Sequence, residues 1–283
     1  MICVIIWAMK NNSFYKVWEV LKPFIIYYIA YNIVFLLIAY LCHAGMEYLG
    51  TGFQEFVTAR AETVTELVNS ISMLIAVLPL VPMLRKELSI RNENAGDETI
   101  RKAEDSSYTK NRVGAVVLTI VLAAASSVGL NSLLSLTGLV HASAAYQDVA
   151  NQQYSVVFVV GAVLFGLISP ITEEIVFRGL VFNRMRRYYP TIAAIIMSGV
   201  LFGVYHGNLV QGVYGGCMGI LLAYTYERLN SFLIPCLFHA TANLMVYSLA
   251  QNAEVHAQLF TVPGCIILLV ISAVCIYTID KAD

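Results

Sequence analysis

Two adjacent carboxylates, Glu173 and Glu174, and one guanidinium, Arg178, interrupt an apolar run that starts near Tyr154 and continues to Phe182. A charge in hydrocarbon costs at least a few kcal/mol, so such groups either pair with one another or serve a function. On a helix Glu174 and Arg178 are four residues apart and share a face, where they can neutralise each other. Glu173 points about 100° away and has no partner nearby in sequence, which leaves it free to act. The competing reading is a buried network in which all three charges hold helices together.

Two later runs bring further polar groups to the same depth. Phe202-Gly203-Val204-Tyr205-His206 closes the next apolar stretch, and Pro190 marks the turn before it; Glu173 stands 17 residues before Pro190 and His206 stands 16 after it. In an antiparallel helical hairpin both then lie on the order of 25 Å from the turn. A glutamate facing a histidine can hold and deprotonate a water, each group tuning the other as general acid and base; a hydrogen-bonded structural histidine is the alternative. His239 and Asn243 are four apart and share a helix face, and Asn243 lies 13 residues past the turn at Asn230, about 20 Å. Two donors there suit an oxyanion site, and they equally suit a hydrogen-bonded seam between helices. Glu173, His206 and His239 also make up a His2Glu zinc set, although no H-E-x-x-H occurs. His43, His141 and His256 fall at the opposite ends of the apolar runs and read as interfacial residues.

The elements that must position these groups are membrane helices. Of 283 residues, 59% are hydrophobic and 12% charged, with a mean hydropathy of +0.73; soluble domains carry about 25% charge. Eight apolar runs are long enough to cross a bilayer as helices, which takes about 17 to 25 residues: 24–44, 66–84, 113–134, 155–182, 191–207, 212–227, 232–250 and 260–279. The fold class is therefore all-α, a polytopic membrane protein with its site inside the helix bundle. Residues 1–112 form two spans and a charged loop, and 113–283 form six spans. Pro79, Pro82 and Pro170 predict kinks. Fifteen of the seventeen Lys and Arg fall on one side of this arrangement, with Arg60 alone on the other and Arg178 inside a span, so both termini are expected in the cytoplasm. The stretch 85–112 mixes both signs and reads as a solvated cytoplasmic loop, with room for a helical part. Met9 reads as the natural start, because 1–9 is apolar, too short to span and without a basic leader. A net charge of -1 gives no footprint for nucleic acid. The six cysteines are isolated in or beside apolar stretches, which suits neither a disulfide framework nor a thiolate metal site. Gly203/Gly207, Gly212/Gly216 and Gly215/Gly219 are small-xxx-small pairs that permit close helix approach.

Glu173-Glu174-x-x-x-Arg178, then Phe202-x-x-x-His206, then His239-x-x-x-Asn243, in this order and each in an apolar run, resembles the CAAX prenyl endopeptidase and bacteriocin-processing (Abi) family of intramembrane proteases, over about 155–250. The stretches His206-Gly207-Asn208 through Gln211-Gly212, and Leu233 to His239, resemble its bacterial members. The resemblance implies that Glu173 and His206 activate the attacking water, that His239 and Asn243 stabilise the oxyanion, and that Glu174 and Arg178 support the site. It implies a metal-free site, with zinc as the runner-up, in a bacterial plasma membrane. The substrate it implies is a peptide or protein in the bilayer, lipid-modified in some members. A non-catalytic immunity or partner-binding protein on the same scaffold is the alternative. A transporter with a Glu/His proton relay would call for two related halves with broken helices, and the sequence shows no such repeat.

Overall fold

The computed structural model describes residues 12–93 and 112–281, and all regular structure among them is helical. Met1 to Met9 and most of the charged stretch, 94–111, lie outside the described residues. The helices are α1 (Ser13–Tyr48), α2 (Thr51–Thr58), α3 (Ala61–Glu93), α4 (Arg112–Leu136), α5 (Leu139–Ala142), α6 (Ala144–Tyr154), α7 (Phe158–Met185), α8 (Thr191–Tyr205), α9 (Leu209–Leu229), α10 (Leu233–Ala250), α11 (Ala253–Leu259) and α12 (Val262–Lys281).

Six of these, α1, α3, α4, α7, α10 and α12, are long and apolar enough to cross a membrane. The expected count of eight is not confirmed, and the two runs in question fail for different reasons. α8 is apolar but has 15 residues, about 22 Å of helix against a hydrocarbon core of ~30 Å. α9 has 21 residues but dilutes its apolar side chains with four glycines, three tyrosines and Gln211, and carries Glu227 and Arg228 in its last turn. It can be so because it is packed on α8, α10 and α4 at the centre of the bundle and shows little of itself outward.

Where helices cannot gain from leaving water, close contact between small residues holds them together. A Cβ on Gly203 would stand 2.4 Å from the Gly212 carbonyl oxygen, and one on Gly219 would stand 2.9 Å from the Gly199 Cα. The α8–α9 contact is thus backbone on backbone. Gly207 does something else: its φ of 76° ends α8 in the left-handed region, with open space where a Cβ would be. Outside this seam the core is aromatic and aliphatic, with Tyr27, Phe177, Phe202, Leu222 and Phe238 buried together. Leu36, Ile192, Val204 and Ile267 point outward and are exposed, as lipid-facing side chains would be.

The prolines act within continuous helices. Pro79 sits in a 3-10 turn, Leu78–Leu80, inside α3. Before Pro170, α7 widens into a π-helical segment, Leu164–Ile168, in which the Ser169 N–H bonds the Leu164 carbonyl five residues back. Proline has no N–H to continue that ladder, so the next carbonyl, that of Phe165, is left without its backbone donor. π segments are rare and often sit at functional positions; a second, Ile175–Phe182, follows the two glutamates.

The stretch 85–112 is corrected in its first third. Residues 85–93 complete α3, and within them Glu87 and Arg91 are buried rather than solvated. Glu87 Oε1 accepts from Arg184 Nε at 2.9 Å and Arg187 Nη2 at 3.1 Å, while Glu227 binds Arg91 at 3.0 Å and Arg186 at 2.7 Å. These pairs tie α3, α7 and α9 together at one end of the bundle, hereafter its arginine-rich end.

Candidate active site

All six polar residues of the three sequence motifs gather in mid-bundle. Glu174 and Arg178 form the expected i,i+4 pair, Arg178 Nη1 donating to Glu174 Oε1 at 2.9 Å with both side chains fully buried. Arg178 Nη2 donates to the Gly219 carbonyl at 3.0 Å, and the guanidinium lies 4.6 Å from the Phe202 ring centroid, a cation–π contact. The pair is anchored to α9 and α8 rather than to lipid.

His239 is the tertiary contact that the motif spacing did not contain. Its Nδ1 lies 2.8 Å from Glu174 Oε1, and its Nε2 lies 3.8 Å from Glu173 Oε2. An ionised carboxylate only accepts hydrogen bonds, so Nδ1 carries the proton and Nε2 is turned toward Glu173. The carboxylate thereby fixes both the tautomer and the angle of the ring.

Glu173 is not as unpartnered as its sequence neighbours suggest. Ser169, one turn earlier on the same face, donates its hydroxyl to Glu173 Oε1 at 2.8 Å. The spacing carries the signal, since serine at i−4 of a helix faces the residue in question. The second carboxylate oxygen stays on the His239 side.

His206 caps the end of α8. Its Nδ1 is 2.8 Å from the Phe202 carbonyl oxygen, and its ring meets Phe202 edge-on at 4.8 Å. A Cβ on Gly215 would come within 3.2 Å of His206 Nδ1, so glycine there gives the ring its room. No ion pair joins His206 to Glu173 among the described residues, yet both line one cavity of ≈ 210 Å³, together with Ser169, His239 and Asn243. The two side chains thus contribute to one cavity wall.

Asn243 answers the π segment of α7. Its Nδ2 donates to the Phe165 carbonyl at 3.0 Å, the carbonyl that Pro170 leaves without a donor. The amide has a second N–H, and Asn243 also lines the cavity. Sequence spacing offered the oxyanion site and the structural seam as alternatives; this contact fills the second role and leaves a donor for the first.

Metal binding finds little support in the arrangement. Among the described residues no group of three His, Cys, Asp or Glu side chains stands close enough to hold an ion. The Glu173, His206 and His239 set is therefore not gathered as zinc ligands as these side chains are placed, although the Glu174 bond to Nδ1 leaves His239 Nε2 free.

The helical bundle thus sets Glu173, His206 and His239 on an internal cavity and buries the Glu174–Arg178 pair. Residues 155–245, which contain all six motif positions, match the model of the family described as Type II CAAX prenyl endopeptidase Rce1-like. A curated relative, described as "Putative membrane peptidase YdiL" of Bacillus subtilis (strain 168), is 29% identical over 84 residues. That match covers 30% of this chain and 34% of the relative, about a third of its length. No solved structure matches the chain.

Proposed function

We propose that the protein is an intramembrane endopeptidase that cleaves a peptide bond with a water held between Glu173 and His206. The observation that carries this is the shared cavity of ≈ 210 Å³, whose wall includes both Glu173 and His206. Glu173 accepts a proton from the water as its oxygen adds to the scissile carbonyl carbon, and that proton passes to the leaving nitrogen as the carbon–nitrogen bond breaks. Asn243, through its second N–H, and His239, from Nε2 when the ring carries both protons, donate to the oxyanion that forms in between. Glu174 holds His239 in place, and Arg178 holds Glu174. No step calls for a metal.

The membrane orientation is part of the proposal: the arginine-rich end faces the cytoplasm, because Lys and Arg are retained there. In intact cells, with native cysteines replaced, an impermeant thiol reagent should reach a cysteine placed at Thr137 and not one at Ser231. The reverse pattern would invert the topology.

Comparing the termini of membrane peptides from cells with the active protein and with Glu173→Gln tests the reaction itself. New termini confined to the active protein are expected. Identical termini in both would remove the peptidase reading and leave a partner-binding protein on the same scaffold.

A further inference from the structure

The cavity around Glu173 does not stop at the level of the carboxylates. A second cavity, of ≈ 280 Å³, abuts it, and the two share Asn131, Tyr146, Ala150, Tyr154 and Val246 in their walls. The second continues past His141 and Asn151 to His256 and Phe260, among α5, α6 and α11. That end of the bundle is opposite the arginine-rich one, since α9 and α10 run between the two. The two cavities thus trace a path from the far end of the molecule to Glu173.

α6 forms one side of the path and is held in place there. Gln152 Nε2 donates to Glu66 Oε1 of α3 at 2.6 Å, and Gln251 Nε2 donates to the Tyr154 carbonyl at 2.8 Å. Glu66 is buried, a carboxylate to which the sequence gave no role. Its acceptor oxygens are spent on amide donors from Gln152 and Asn69, which makes it an anchor for the wall.

The wall chemistry selects among ligands. Apart from Glu173, neither cavity is lined by Asp, Glu, Lys or Arg. A free terminal carboxylate would meet no lysine or arginine on this path, because Arg178 is fully buried behind Glu174. The amides of Asn131, Asn151 and Gln153 line the approach, and the Tyr214 hydroxyl is buried beside the Asn131 amide. A lipid chain in this path would cover these groups and satisfy none of them, which is unfavourable. An extended peptide backbone offers them alternating N–H and C=O groups.

The geometry points to an internal, uncharged and unlipidated peptide stretch as the substrate, entering along α6 from the end opposite the arginines. This rests on the peptidase reading, but its test involves no cleavage. The full chain, with native cysteines replaced and Ala242→Cys placed in the cavity wall, is put in lipid nanodiscs, where both membrane faces are open. A charged methanethiosulfonate reagent should label Cys at that position, and adding Ala150→Trp, a plug at the wall shared by both cavities, should slow labelling at least tenfold. The outward-facing substitution Val200→Trp should leave the rate unchanged. Should Ala150→Trp lower the melting temperature, Gln153→Trp provides a second plug on the same helix. An acetylated, amidated Ala/Ser hexapeptide should protect the thiol, and N-acetyl-S-farnesylcysteine should not. Unchanged labelling behind a folded plug would overturn the path, and protection by the farnesyl compound alone would overturn the substrate class. Either failure leaves the peptidase reading to be decided by the termini of cleaved peptides.

Discussion

At the arginine-rich end, Glu87 and Glu227 are each held by two arginines, all at 3.1 Å or less. In mid-bundle, Glu173 and Glu174 share one arginine, which binds Glu174. Both regions bury carboxylates, but the first has cations in excess and the second has acids in excess. At the end, both Glu227 oxygens are in ion pairs. In the middle, Glu174 Oε2 and Arg178 Nε make no hydrogen bond, and Glu173 has a serine hydroxyl and a histidine at 3.8 Å. Saturated charge holds helices together; undersaturated charge beside a cavity is available for proton transfer. The difference separates a fastening from a site more clearly than burial does, since both are buried.

The largest stability effect should come from breaking the fastening. Glu227→Gln leaves Arg91 and Arg186 without their shared anion, and removing one partner of a buried pair costs about 3–5 kcal/mol. A melting curve in detergent should show this, while cleavage per folded molecule stays near that of the parent protein. Loss of activity without loss of stability would mean that the end network belongs to the site.

Glu174→Gln should combine the two behaviours. It weakens the hold on Arg178 and on His239 together, so stability falls by about 3 kcal/mol, the lower end for a buried pair that loses one partner, and turnover falls through a misplaced imidazole. The measurements are the same melting curve and the rate at saturating substrate. A purely catalytic defect would show that the Arg178 pair contributes little to the fold.

Gly203→Ala is the smallest of the three changes. The added methyl meets backbone of α9, which cannot swing away as a side chain could, and overpacking of this kind costs about 1–3 kcal/mol. The expected signature is a lower melting temperature, with His206 displaced where α8 ends. An unchanged melting temperature would mean that the α8–α9 seam has slack.

Much of this was legible in the sequence, and what was not follows from how the contacts are made. Apolar length and helical spacing report local geometry, so the helical bundle, the Glu174–Arg178 pair and the shared level of Glu173 and His206 were all readable. The His239–Glu174 bond joins residues 65 apart, and the packing of α10 against α7 decides it rather than any spacing. Asn243 required the π register of α7, which turns the missing N–H of Pro170 into an orphan carbonyl on Phe165. Glu87 and Arg91 were read as solvated because the stretch they begin is rich in both charges; their partners in α7 and α9 are distant in sequence. Glu66 stands at the edge of an apolar run, and its partner Gln152 lies in a short polar helix distant in sequence, so no spacing marks the pair.

We propose that Glu173 is the base, that Glu174 positions His239, and that Glu66, Glu87 and Glu227 are fastenings. Purified Glu173→Gln, assayed on a peptide shown to be cleaved by the parent protein and melted alongside it, tests this directly. The amide keeps the shape and can accept the Ser169 hydrogen bond but cannot take up a proton. Turnover should fall by at least a factor on the order of 10² to 10⁴, with a melting temperature within a few degrees of the parent. Adding His206→Ala should then cost little more, because groups that act as a unit are non-additive. Full turnover in Glu173→Gln, or a melting loss as large as that of Glu227→Gln, would contradict the account.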